Sequence, residues 1–384
     1  MKVLIIGDSG SIFVKQYIEY VLLPLPKIEI VLIQENSSSS QYLDFYRDNG
    51  VFVEPLVFNK NKWLFKIPIV RSFLGVRIWC KKIKKKYGCF DMLHIHGLNR
   101  SRGNIGHYLN GICKKNVISV WGDEIFRQSP KNCKSYMKYY DKADTITVST
   151  KAMLNKFNDT YGNIYVHKIV MNKFAIGLFD KIDNIKRNYS RESLCKMFGI
   201  DNPEKKIVFV GHNGREAQRH IELTSALNEL SIKDRKQIVL VYTMTYGVKS
   251  NEYLLELENR IKEINCDYVI LSEFLDEEMT AKLRCICDIL LHAQLTDAFS
   301  ASIQESLYSG SIVVNGSWLP YEEIPQYRQH YIEYDDISEI SNVLSNILDK
   351  FDEFKDKYRC NKDVLRSISS VENTTTAWIN NLNI

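Results

Sequence analysis

Two carboxylates and two arginines carry the chemistry that can be read from this chain. Asp297 and Glu305 lie between Ile289 and Gly316, in the stretch DILLHAQLTDAFSASIQESLYSGSIVVNG. The apolar run Ile289 to Leu291 reads as a strand buried on both faces, Ser300 as a helix cap, Gly310 as the helix stop and Ile312 to Val314 as a second strand. Glu305 then lies about one and a half turns into the helix, with Asp297 on the loop that enters it, so that both acids can face one crevice. Upstream, Gly211-His212-Asn213-Gly214-Arg215 follows the apolar run IVFV, and Arg219 comes in the first turns of the next helix. Glycine-rich backbone amides and an arginine at a helix N-terminus form a site for a diphosphate. The plainer readings are a solvated acidic face and an ordinary surface turn.

The elements around these residues alternate strand and helix twice over. Residues 2 to 6, KVLII, followed by Gly7-Asp8-Ser9-Gly10, open a first Rossmann-like unit without its GxGxxG fingerprint. Asp91 to Gly97, DMLHIHG, is a strand ending in a glycine turn. On it His94 is expected to be packed or hydrogen-bonded and His96 to line a cleft; no third ligand nearby argues for a metal. Val117 to Trp121, then Gly122-Asp123-Glu124, repeats the strand and turn, and Asp144 to Thr150 ends the first set of strands. The charged, weakly patterned region 179–191 reads as the linker. Lys206 to Val210 begins the second set, Ile238 to Tyr242 and Cys266 to Leu271 continue it, and Asp276 to Cys285 reads as a helix. The expected organisation is a first domain at 1–185, a second at 186–370 and a tail, 371–384.

Asp297 followed eight positions later by Glu305, then a small-residue turn and a strand, resembles the acidic signature of group 1 (family 4-like) glycosyltransferases of bacterial surface polysaccharide synthesis. That resemblance implies an α/β, GT-B fold of two Rossmann-like doubly wound domains facing across a cleft, 1–185 binding the acceptor and 186–370 the nucleotide sugar, with the tail 371–384 crossing back to the first. It implies that Glu305 accepts hydrogen bonds from the donor's ribose and that Asp297, in DAF where the family has EFG, contacts the sugar. Arg215 and Arg219 stand where an arginine and a lysine of that family neutralise the leaving phosphates, with Gly211 and Gly214 in the same binding turn. Asp123 is the candidate for contacting the acceptor hydroxyl or serving as base, and Trp121 stands where many relatives carry a histidine. The pieces RHIE (219–222) and TMTYG (243–247) also resemble the transferases that add 4-acetamido-4,6-dideoxygalactose to a polyprenyl-linked disaccharide. The first resemblance implies a retaining reaction and the second an inverting one.

Composition bounds the rest. A chain of 384 residues fits two domains, and a net charge of +5 does not call for nucleic acid. Nine cysteines with no CxxC pair fit reduced thiols of a cytoplasmic protein. From Asn59 to Phe90 there is no acid, while basic residues from Lys60 to Lys86 are interleaved with Trp63, Phe65, Phe73 and Trp79. That mixture suits docking of 60–86 on an anionic membrane surface, the alternative being a solvated basic helix. No recognisable nucleic-acid module accompanies it.

The expected function is transfer of a sugar from a nucleoside diphosphate sugar to a hydroxyl of a lipid-linked glycan, in capsule, O-antigen or exopolysaccharide synthesis at the inner face of the plasma membrane. The hexosyltransferase type is expected, with no metal and no cofactor beyond the donor. The rivals are a GT-B sugar-nucleotide epimerase, a nicotinamide oxidoreductase and a non-catalytic nucleotide-binding scaffold.

Overall fold

The computed structural model describes residues 1–34, 41–56, 74–248, 250–297, 300–319, 321 and 331–384. The chain forms two compact units, Met1–Ala175 with Val371–Ile384, and Ile176–Ser370. The first contains β1 (Lys2–Gly7), β2 (Glu29–Gln34), β3 (Phe52–Pro55), β4 (Phe90–His96), β5 (Cys113–Ser119), β6 (Thr145–Val148) and β7 (Ile169–Met171). They form one parallel sheet in the order β3-β2-β1-β4-β5-β6-β7. The second contains β8 (Lys206–Val210), β9 (Ile238–Thr243), β10 (Asp267–Leu271), β11 (Ile289–His292), β12 (Ile312–Gly316) and β13 (Ile332–Tyr334), also parallel, in the order β10-β9-β8-β11-β12-β13.

These orders follow from unbroken apolar runs. Val3 to Ile6 and Ile207 to Val210 are wholly buried, as strands covered by helices on both faces must be. In each sheet the chain builds outward on one side and then crosses to the other, reversing between β1 and β4 and between β8 and β11. Such a reversal leaves a crevice at the carboxyl ends of the two central strands, where open α/β sheets bind their ligands.

The unit boundary falls at Ile176, ahead of the expected position near residue 185. The region expected to be a linker is a helix, Leu178–Asn188, and its apolar residues explain why it belongs to the second unit. Leu178, Phe179, Ile182 and Ile185 fall on one helical face and pack in a core with Phe209, Leu290, Ile303 and Leu307. Phe179 stacks on Tyr308 with ring centroids 4.0 Å apart. The opposite face of the second sheet is covered by helices that include His220–Leu227, Asn251–Ile264 and Ile340–Asp349.

The final helix, Val371–Leu382, is part of the first unit. Trp378 is buried, lies 5.1 Å from the Tyr17 ring, and donates from Nε1 to the Lys173 carbonyl at 2.8 Å.

Candidate functional site

The loops leaving β8, β11 and β12 at the switch point of the second sheet are tied together by side-chain amides. The backbone N–H of His212 donates to Gln218 Oε1 at 3.3 Å, and Gln218 Nε2 donates to Gln294 Oε1. Gln294 Nε2 donates to the Thr296 carbonyl at 2.6 Å, while Trp318 Nε1 donates to the Gln294 carbonyl at 2.9 Å. His292, at the end of β11, is bonded through Nδ1 to Asn315 Oδ1 at 2.8 Å and stacks near His212, ring centroids 5.3 Å apart. Every buried polar atom left without a partner carries a free-energy penalty, so this network fixes the loops more firmly than surface turns would be.

Around it stand the expected binding residues. Arg215 is exposed and forms no ion pair among the described residues. Arg219 takes up the left-handed conformation, φ 60° and ψ 42°, just before helix His220–Leu227, which costs a non-glycine residue on the order of 1 kcal/mol. Its guanidinium lies 5.8 Å from the Trp318 ring and its Nε is 3.3 Å from Glu222 Oε1. Glu305 lies in helix Ala301–Tyr308 and accepts a hydrogen bond on Oε2 from Arg284 Nε at 3.0 Å. Both side chains are buried, 5 % exposed for Arg284 and 9 % for Glu305. Arg284 belongs to helix Glu277–Ile286, and its Nη2 donates to Ser302 Oγ at 3.0 Å.

Electrostatics link these groups. Burial holds the His212 imidazole well below its ordinary range, and the neighbouring His292, Arg284, His220 and Arg215 push it further down. The Tyr246 phenol is raised by desolvation although nearly half of the residue faces solvent; Arg284, Asn213 and Arg215 work against that rise, and Glu305 adds to it. Arg215, Arg284, Glu305, His212 and Tyr246 are thus within electrostatic reach of one another. Arg219 stands beside Trp318, connected to them through the Gln294 and Gln218 amides.

Asp297 stands on the loop that enters the helix of Glu305. Asp297 accepts a hydrogen bond from the Tyr321 hydroxyl, and burial together with that charge keeps Tyr321 well above the ordinary phenol range. Ser300 takes the N-cap position of its helix without a side-chain capping bond. Asp123 lies in the first unit. It is exposed at the start of helix Asp123–Phe126, 3.7 Å from Arg127 and hydrogen-bonded by Gln128 Nε2 at 3.2 Å.

Two expectations are corrected. The amide of Gly214 donates to the Tyr246 carbonyl at 2.8 Å, so it forms no open cradle for an anion. Its glycine identity is explained by packing, since a Cβ there would come within 2.3 Å of Val248 Cγ2. Gly211, at φ +70°, similarly leaves room for the His220 ring, 2.7 Å from where a Cβ would sit. His96 does not line a cleft: it is fully buried among Tyr17, Trp121 and Phe174, and both ring nitrogens lack a partner among the described residues. His94 is hydrogen-bonded, through Nε2 to Ser119 Oγ at 2.7 Å.

Arg284, His212, His292 and Trp318 escaped the reading of the sequence. The signal for Arg284 was its setting in LRCIC, an arginine flanked by apolar residues directly before a buried strand. His292 ends β11 and His212 follows β8 by two positions, where ligand-facing loops begin.

The sequence matches no family model and no curated protein sequence. Solved structures resemble it over its whole length. HepE from Anabaena, solved with UDP and glucose, superposes with a TM-score of 0.75 at 14% identity, covering 100% of this chain and 99% of that one. A glycosyltransferase from Rickettsia africae gives 0.74 at 15% identity, covering 99% and 97%. A sucrose-phosphate synthase from Thermosynechococcus elongatus gives 0.71 at 13%, covering 100% and 98%. With its two parallel sheets of seven and six strands, the chain has the two-domain, Rossmann-like GT-B fold.

Proposed function

We propose that this protein is a glycosyltransferase that takes a sugar from a nucleoside diphosphate donor held by its second unit. The observation that supports the reading is that the segments after β8 and β11, at the switch point of a doubly wound sheet, carry two solvent-reaching arginines, Arg215 and Arg219, and a buried carboxylate, Glu305, held by Arg284. HepE, of the same fold, was solved with UDP-glucose.

In this reading the acceptor oxygen attacks the anomeric carbon as the bond to the diphosphate breaks. The leaving group departs with added negative charge, which Arg215 and Arg219 stabilise with preorganised donors. Glu305 accepts from the ribose hydroxyls, Asp297 orients the donor sugar, and Asp123 contacts the acceptor hydroxyl or takes its proton. The residues Arg215 and Arg219 are exposed and half-buried, as groups that meet a ligand from solvent need to be.

A thermal-shift screen against UDP-, GDP- and dTDP-sugars tests the donor site, because a ligand that binds only the folded state raises its stability. Arg219→Ala is expected to weaken the best donor about tenfold, the worth of one charge-assisted hydrogen bond. An unchanged shift in Arg215→Ala/Arg219→Ala would remove the diphosphate site from the proposal.

The acceptor in this proposal is a lipid-linked surface glycan, reached at an anionic membrane. What supports it is helix Val76–Tyr87, which buries Val76, Trp79, Cys80 and Ile83 and exposes Arg77, Ile78, Lys81, Lys82 and Lys85. Trp79 is therefore a core residue and not an interfacial one. The remaining aromatic and basic residues of that stretch, from Lys60 to Phe73, lie outside the described residues. Among the described residues no helix is long and apolar enough to cross a membrane. Lys81→Ala/Lys82→Ala is expected to weaken binding to phosphatidylglycerol-containing vesicles by roughly 30-fold, at about 1 kcal/mol per charge. Equal binding to neutral vesicles would refute the docking.

A further inference from the structure

A buried ion pair is an expensive way to fill a core. Two apolar side chains of similar size would pack between helices Glu277–Ile286 and Ala301–Tyr308 at equal or lower cost, so the Arg284–Glu305 pair calls for an explanation other than stability. The geometry supplies one. Arg284 reaches two residues of the same helix, Ser302 through Nη2 and Glu305 through Nε, each at 3.0 Å. Those residues are three positions apart and hence neighbours on one helical face. A planar guanidinium anchored at two points fixes the plane of the carboxylate it touches, which a single flexible ammonium would not do. The carboxylate gives only Oε2 to this contact and makes no other hydrogen bond among the described residues.

We propose that Arg284 is a positioning residue for nucleotide recognition: its fork clamps Oε2 of Glu305 so that Oε1 is presented, in fixed orientation, to the ribose hydroxyls of the donor. The inference rests on the donor-site reading above and deepens it. Arg284 itself does not touch the ligand in this role; it acts through Glu305. Glu305, which it holds, lies on the helix that leads into β12, beside the switch point between β8 and β11. The chemistry recognised is a ribonucleoside diphosphate, read at its vicinal hydroxyls, and the selectivity comes from an acceptor that is left unpaired when those hydroxyls are missing.

The test is calorimetric titration of the full-length protein with UDP, GDP, ADP and CDP, followed by the 2′,3′-dideoxy form of whichever binds most tightly. The wild type is expected to prefer the ribonucleotide by about tenfold or more. Arg284→Lys keeps the charge but loses the fork, and is expected to bring the preference to within about twofold while leaving affinity for the dideoxy form unchanged. Glu305→Gln is expected to lose the preference as well, and adding Arg284→Lys to it should change nothing further, because the two residues act as one unit. Ser302→Ala, which frees one anchor and leaves the ion pair in place, should give an intermediate preference; it carries the test if Arg284→Lys does not fold. A preference retained in Arg284→Lys or in Ser302→Ala, or independent losses in the double variant, overturns the clamp while leaving the donor site standing. If none of the four nucleotides binds the wild type, the donor-site reading falls and the clamp with it.

Discussion

Between about pH 6.5 and pH 5 the protein is expected to lose most of its stability, through histidines and not through carboxylates. His94, His96, His212, His220 and His292 are all buried. Burial lowers every one of them below the ordinary imidazole range of 6.5, His96 to about 3 and His220 to about 4. In the unfolded chain each takes up a proton near pH 6.5, while in the folded chain each takes one up only at lower pH. The unfolded state therefore binds more protons below that pH, and stability falls as pH drops. Each strongly shifted group contributes up to about 1.4 kcal/mol per pH unit, so several acting together rival a total stability of about 5–15 kcal/mol. Circular dichroism against pH checks this. His96→Phe, which substitutes an apolar ring inside the aromatic cage of Tyr17, Trp121 and Phe174, is expected to move the acid midpoint downward by a few tenths of a unit. Unfolding that begins only near the carboxylate range, or a midpoint indifferent to His96→Phe, would contradict the assignment.

The central strands were legible because a strand covered on both faces needs only an apolar run, and KVLII, IVFV and ILL supply it. Of the edge strands β10 was legible, as Cys266 to Leu271, but β3 and β13 were not. β3 reads FVEP and β13 reads IEY, too short and too polar to stand out from loops, and they exist because a neighbouring strand offers them hydrogen-bond partners. Helix Leu178–Asn188 was hidden by its charges, although Leu178, Phe179, Ile182 and Ile185 already had helical spacing. At the site, spacing along the chain placed Asp297 and Glu305 on the right elements but said nothing of their partners. Whether a carboxylate meets solvent, a tyrosine or an arginine depends on which helix packs beside it, and that is settled by contacts distant in sequence. Asp297 found Tyr321 and Glu305 found Arg284. The turn at Gly214 shows the converse error. A glycine before a helix has the look of an anion cradle, yet here its amide is claimed by Tyr246, a residue of the loop after β9.

Arg284→Met is expected to destabilise the protein by about 3–5 kcal/mol, the range for removing one partner of a buried pair and leaving the other charge in a site that excludes water. The size of the loss comes from the stranded carboxylate and not from the worth of the pair. For that reason Arg284→Met/Glu305→Leu, which empties the site of charge and fills it with apolar volume, should recover nearly all of it and return to within about 1 kcal/mol of the wild type. Urea denaturation followed by circular dichroism measures both. If the double variant is instead as unstable as the single, the pair is a structural requirement of the two helices and its survival needs no ligand to explain it. If the double variant folds as well as the wild type yet shows no thermal shift with the best donor, then stability and recognition have been separated at one pair of residues. Since the loss on folding would then be nil, the charge on Glu305 and the guanidinium that orients it are present for what they bind.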